Sequence, residues 1–161
     1  MATAYSIEKK QSPVKLIGIP EEIVSKKNDI VIFDLYNQES DFNDLYEIFA
    51  QIVDDGQTYP QETTTKEEFQ QYFLSHHCFV LRLKQTGQAV GAFYVKPNFP
   101  GRSSHICNYG VIVRGDQRGQ GFGDLLVSRV SQVAKQIGYH AIYTNLVYVT
   151  NIQSIKLLKK Y

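Results

Sequence analysis

The stretch Val111–Gly123, reading Val-Ile-Val-Arg-Gly-Asp-Gln-Arg-Gly-Gln-Gly-Phe-Gly, constrains the rest of the chain more than any other. It begins as a β-branched run and passes through glycines at alternate positions, Gly119, Gly121 and Gly123. It then opens into the apolar spacing of Leu125, Leu126, Val130, Val133 and Ile137. Strand, glycine turn and helix follow one another without a gap. A helix start carries backbone N–H groups without partners and the positive end of the helix dipole, so it attracts anions, phosphate above all. Glycine lets the backbone come close to such a guest, and Arg118 sets a guanidinium beside it. The same turn also serves plain strand-to-helix connections, so it needs company before it means function.

At 161 residues the chain has room for one domain with a core that needs neither disulfide nor metal. That domain is expected over residues 13–161, behind a loose polar tail at 1–12. A formal net charge of +1 and the lack of a long basic run give no electrostatic footprint for nucleic acid or an anionic membrane. Met1–Lys10 has no apolar core of a leader, and no stretch is apolar for long enough to span a bilayer, so the expected compartment is the cytoplasm. Cys78 and Cys107 lie in apolar strand-like runs without ligand spacing, which predicts buried thiols and no metal site.

Val14–Ile19 and Ile30–Leu35 read as two early strands. Ser40 or Asp41 is placed to cap a helix whose apolar positions Phe42, Leu45, Tyr46, Phe49, Ile52 and Val53 keep helical spacing as far as Asp55-Gly56. Thr64 and Thr65 each precede a glutamate by three residues, a doubled capping box opening a second helix that ends near His76. Cys78–Leu83 and Ala89–Val95 form a hairpin around Gln85-Thr86-Gly87-Gln88. His105–Val113 is the strand feeding the glycine turn. Gly123–Ile137 is the helix, stopped by Gly138, and Ala141–Val149 is a further strand. A last helix is capped by Asn151, with Ile152, Ile155 and Leu157 or Leu158 turned inward. The order predicts a mixed α/β layer in which the strand-helix-strand unit makes its two strands parallel, and neighbours unless another strand lies between them.

Arg118-Gly119-Gln120-Gly121-Phe122-Gly123 fits the R/Q-x-x-G-x-G/A signature of the GNAT N-acetyltransferase superfamily, and Val113 falls where that family ends its central strand. The element order matches as well, so the chain resembles this superfamily over most of its length. Four runs carry a closer likeness, to the fungal L-azetidine-2-carboxylate N-acetyltransferases. They are Gly56–Gln61, Phe93–Asn98, Arg102–Asn108 and Asn145–Asn151. The resemblance implies the GNAT acyl-CoA N-acyltransferase fold. It also implies a Gly-Phe pair and two strands beyond the position of Tyr161, which this sequence does not contain. A sheet short of them would expose an edge that a second copy of the chain could cover.

By the same resemblance acetyl-CoA is the co-substrate. The backbone of Val111, Ile112 and Val113 would pair with its pantetheine arm, and the N–H groups of Arg118, Gly119, Gln120, Gly121, Phe122 and Gly123 would hold its diphosphate. Asn108 and Asn145 would contact a small amine substrate, and Asn151 would sit beside the thioester or pantetheine. Strand alternation puts Asn108 on one face with Ile106 and Gly110, and His105, Cys107, Tyr109 and Val111 on the other. No carboxylate lies on this strand, although many family members have a glutamate base there, and the family's tyrosine acid falls at Leu158. An asparagine accepts from an amine and donates to a carboxylate, which suits an amino acid. A capping role explains Asn151 equally well. Histidines 76, 77 and 140 are expected at the surface, and His105 on the face away from Asn108.

The expected function is therefore acetyl transfer to the nitrogen of a small amino or imino acid of the azetidine-2-carboxylate or proline-analogue kind. Two alternatives stand beside it. One is a protein or polyamine N-acetyltransferase, which would want an open acidic groove. The other is an inactive acyl-CoA-binding module, favoured by the missing glutamate and tyrosine.

Overall fold

Side-chain alternation along the central strands divides their apolar residues between two cores, one on each face of a single sheet. The computed structural model describes residues 15–161, so the expected tail at 1–12 lies outside the described residues. Its elements run β1 (Glu21–Val24), β2 (Ile30–Leu35), α1 (Gln38–Asp55), α2 (Lys66–Tyr72), β3 (His77–Leu83) and β4 (Ala89–Pro97). They continue with β5 (Ile106–Val113), α3 (Phe122–Ile137), β6 (Ala141–Ile142) and α4 (Ile152–Leu158). The strands lie in the order β1-β2-β3-β4-β5-β6, antiparallel except for the last pair, which is parallel as expected for strands joined through a helix.

Cys78, Val80, Ala92, Tyr94 and Ile112 face α1 and α2, where Phe49, Phe69 and Phe73 close the first core. Phe79, Leu81, Phe93 and Cys107 face the other way, onto Phe122, Leu126, Val130 and Val133 of α3. Phe33, Phe79 and Phe93 stack across three neighbouring strands at centroid distances of 5.1 to 5.8 Å. Burying each such ring contributes roughly 1.5–3 kcal/mol, so both faces of β3 and β4 are anchored by apolar burial. Both cysteines are buried thiols.

Several boundaries differ from the expected ones. The first strand is Glu21–Val24, after Pro20 rather than before it, and residues 17–18 form a turn. What makes 21–24 a strand is its partner, since Glu21 to Val24 pair in register with Phe33 to Ile30. Helix α1 begins at Gln38. Its cap is Asn37, whose Oδ1 accepts from the N–H groups of Glu39 and Ser40 at 2.9 and 3.2 Å. Asp41 is drawn inward instead, into a buried ion pair with Arg82. The capping box at α2 is single: Thr65 and Glu68 satisfy each other's backbone N–H, whereas Thr64 Oγ1 donates to a carbonyl. That helix stops at Tyr72, short of His76.

The expected strand at 141–149 reduces to two residues. Ala141 and Ile142 pair with Ile106 and Cys107, and the Tyr143 N–H donates to the Cys107 carbonyl at 2.7 Å. Beyond that point the two chains diverge, and Leu146 takes a positive φ of 51°. β-propensity needs a ladder to express itself, and residues 143–149 have none among the described residues. The divergence leaves a notch between β5 and the segment after β6.

Candidate functional site

Three features meet around that notch: the glycine turn, the free edge of β5, and a group of amides and tyrosines on the α1/α2 face. Gly119 and Gly121 both lie in the left-handed region, with φ of 77° and 88°, which other residues adopt only under strain. Gly121 is the residue before α3 and offers no side-chain cap, so the first turn of the helix keeps its donors free. Among the described residues no protein acceptor takes the N–H of Gly119, Gln120, Gly121, Phe122, Gly123 or Asp124. The Arg118 N–H reaches the Gly115 carbonyl at a long 3.4 Å. This is the unsatisfied, positively polarised concavity that an anion fits.

The side chains of the turn divide differently. Phe122 is 1% exposed and belongs to the core under α3, so only its backbone faces the turn. Arg118 is engaged with Asp55 at the end of α1, at 3.1 Å. The pair is exposed, which makes it a weak hold that an incoming anion can replace. Gln120 Nε2 donates to Gln117 Oε1 at 2.8 Å, bracing the turn. A Cβ on Gly121 would lie 3.1 Å from Lys26 Cδ, so the β1–β2 turn brings a lysine over the glycines. Gly123 has room for a side chain, its nearest neighbours being 3.8 Å from such a Cβ. Lys26 had no sequence signal, because the contact is made by a distant hairpin.

On β5, Val111, Ile112 and Val113 pair with Phe93, Ala92 and Gly91 of β4. Among the described residues their other edge has no ladder, since β6 reaches only Ile106 and Cys107. The Tyr59 hydroxyl donates to the Val111 carbonyl at 3.3 Å. A Cβ on Gly110 would lie 2.6 Å from both Tyr59 Oη and Tyr94 Cε1, so only glycine lets these rings close on the strand. Burial pushes the Tyr59 and Tyr94 phenols well up from the ordinary value, which keeps both hydroxyls protonated.

Asn108 and Asn145 are brought together, through a third amide. Asn98 Oδ1 accepts from Asn108 Nδ2 at 2.9 Å and also from Asn145 Nδ2. Beside Asn108 in the β4–β5 register stands Lys96, whose Nζ donates to the Tyr72 carbonyl at 3.0 Å. The ammonium lies 4.0 and 4.3 Å from the ring centres of Tyr72 and Tyr94, and burial pushes its pKa down to about 8. Asn98 and Lys96 stand inside the run Phe93–Asn98, but their roles come from strand register, which a single sequence does not show.

Asn151 caps α4, its Oδ1 accepting from the Ser154 N–H at 3.0 Å. Its Nδ2 donates to the Gln57 carbonyl at 3.2 Å and to Thr58 Oγ1 at 3.3 Å. The residue therefore ties α4 to the loop between α1 and α2. His105 lies apart from Asn108, with Nδ1 3.0 Å from the Arg102 carbonyl oxygen. His76, expected at the surface, is buried, its Nδ1 3.0 Å from Ser75 Oγ. The Tyr161 hydroxyl donates to Asp124 at 3.1 Å. Leu158 is partly buried on α4 and Ile152 is exposed rather than turned inward.

Residues 42–161 match the acetyltransferase (GNAT) family. Among curated proteins, N-acetyltransferase aca1 of Schizosaccharomyces pombe is 36% identical over 126 residues, which cover 67% of this chain and 60% of that relative. The chain thus spans less than two thirds of the length of that relative. A GCN5-related N-acetyltransferase from Kribbella flavida superposes with a TM-score of 0.75 at 24% identity, over 81% of this chain and 80% of the other. A phosphinothricin acetyltransferase from Sinorhizobium meliloti, solved in complex with acetyl-CoA, gives 0.69 at 16% identity, over 81% and 72%. At these identities the two structures speak for the fold. Among the described residues no helix is long and apolar enough to cross a membrane.

Proposed function

Because this chain belongs to the GNAT acetyltransferase family, we propose that it transfers the acetyl group of acetyl-CoA to the nitrogen of a small amino or imino acid, of the azetidine-2-carboxylate or proline-analogue kind. The observation that carries this reading is the convergence of Asn98, Asn108 and Asn145 beside the open edge of β5, with no carboxylate among the three. Amides of this kind orient a small polar molecule by accepting from its nitrogen and donating to its oxygens.

In this reading the backbone N–H groups of Arg118 to Gly123 hold the diphosphate, and the edge of β5 at Val111–Val113 holds the pantetheine. When bound, acetyl-CoA supplies the acyl group as a thioester. Asn108 and Asn145 aim the neutral amine at its carbonyl, so the gain comes chiefly from positioning. The new C–N bond forms as the C–S bond breaks. The amine proton leaves through water, and coenzyme A departs as the thiol. Asn151 closes the site by holding the loop at Gln57-Thr58 against α4.

A thiol-release assay with acetyl-CoA tests the reading against azetidine-2-carboxylate, proline analogues, a polyamine and a lysine peptide. Release with the first two is expected. Release confined to the polyamine or the peptide transfers the acceptor to those classes, and release with none of them overturns the enzymatic reading.

A further inference from the structure

Four cationic side chains of the described residues are partly buried: Arg82, Lys96, Arg114 and Arg129. Three of them hold a carboxylate. Arg82 pairs with Asp41 and Asp34, Arg114 Nη2 lies 3.1 Å from Asp44, and Arg129 Nη2 lies 2.7 Å from Glu21. Among the described residues Lys96 has no such partner. A cation withdrawn from water without a counter-ion is costly, and proteins ordinarily pair it or leave it exposed.

The surroundings of Lys96 hold a cation but do not neutralise it. The Tyr72 carbonyl takes one of three N–H donors, and the faces of Tyr72 and Tyr94 lie against the ammonium. Two donors remain. Lys96 and Asn108 are direct cross-strand partners and so stand on the same face of the sheet. Asn98 follows two residues later on the same face, bonded to Asn108 and Asn145. The ammonium and the amide cluster therefore border one site.

We propose that Lys96 binds the carboxylate of the acceptor, and so restricts it to amino or imino acids whose acid group lies beside the reacting nitrogen. This rests on the acceptor reading above and deepens it. The carboxylate supplies the missing counter-charge and takes the two free donors, while the asparagine amides hold the nitrogen. An amine without the acid group leaves the ammonium unpaired and is selected against.

The test compares azetidine-2-carboxylate with azetidine-2-carboxamide at saturating acetyl-CoA, in the wild type, Lys96→Met and Lys96→Arg. Thermal unfolding and acetyl-CoA binding serve as the check that each variant is folded. The wild type is expected to favour the acid. Lys96→Met should raise KM for the acid about ten- to hundredfold and leave the amide unchanged, and Lys96→Arg should recover part of the preference. A variant that loses both substrates equally makes Lys96 structural, and one that keeps the full preference places the carboxylate elsewhere. Either result overturns the proposal while the acceptor reading stands. A wild type that acetylates neither compound, and binds neither by calorimetry in the presence of coenzyme A, removes the acceptor reading and this proposal with it.

Discussion

Two positions on β5 set holding the fold apart from the proposed positioning of the substrate. At Gly110 the closeness of Tyr59 and Tyr94 leaves no room for a methyl group, which would meet the Tyr59 hydroxyl and the ring of Tyr94, both side chains being buried. Gly110→Ala is expected to lower stability by about 1–3 kcal/mol, the usual cost of overpacking, in urea unfolding followed by fluorescence. At Asn108 the side chain is half of a bridge to Asn98 and touches no part of the glycine turn. Asn108→Ala should therefore leave acetyl-CoA affinity within about twofold while lowering kcat/KM for the acceptor by roughly 10- to 100-fold, a loss of one or two hydrogen bonds to a polar substrate. Equal loss of both would return Asn108 to a structural role. The sequence singles out Asn108 and Asn145 because amides are poor strand residues and through the family likeness, and the structure joins the two through Asn98. The bridging Asn98 and the neighbouring Lys96 are not legible in the sequence, because what matters is the register that sets each beside Asn108, a fact about two strands at once.

Among the elements, those whose ends are fixed by local chemistry were readable, and those that depend on a neighbour were not. Gly56 and Gly138 end α1 and α3 in the left-handed conformation that the sequence suggests. The start of α1 lies three or four residues before the expected caps Ser40 and Asp41, because Asp41 is buried against Arg82 and Asn37 caps the helix in its place. The strand over 141–149 is shorter than expected for the opposite reason: its residues suit a sheet, but the chain leaves β5 after two pairs. The helix proposed to hold the diphosphate, α3, begins on a glycine without a side-chain cap, so the N–H donors of its first turn are left open. Gly121→Val would strain a φ of 88° and drive a side chain toward Lys26. The expected result by titration calorimetry is a loss of acetyl-CoA affinity of at least about tenfold, beyond the roughly 1–2 kcal/mol of backbone strain that appears in unfolding. Unchanged affinity would mean that the anion is not held by these amides.

Across the whole molecule, one sheet separates two aromatic cores and carries the site where the ladder between β5 and β6 opens. The cores explain how a chain can leave a cation as poorly compensated as Lys96 on the edge of one of them: burial on both faces of β3 and β4 offsets the local cost. That cost has a definite pH signature. With a native pKa of about 8 against 10.5 for the free side chain, the unfolded chain binds more protons than the native one between those values. Stability from this group therefore rises with pH through that window and is flat below it, the reverse of a lysine that has gained a carboxylate. Burial of Cys78, Tyr59 and Tyr94 acts the other way, raising native pKa values so that stability falls as the unfolded thiol and phenols ionise. Those groups are common to wild type and Lys96→Met, so the difference between the two proteins isolates the lysine. Urea unfolding at pH 7, 8, 9 and 10 should show the variant ahead at pH 7 by on the order of 2 kcal/mol, with the gap closing toward pH 10. Saturating azetidine-2-carboxylate should shrink the gap at pH 7 by stabilising the wild type more than the variant, because a bound carboxylate gives the ammonium the counter-charge that the fold does not supply. A gap that does not change with pH would mean that the ammonium is already compensated in the native protein.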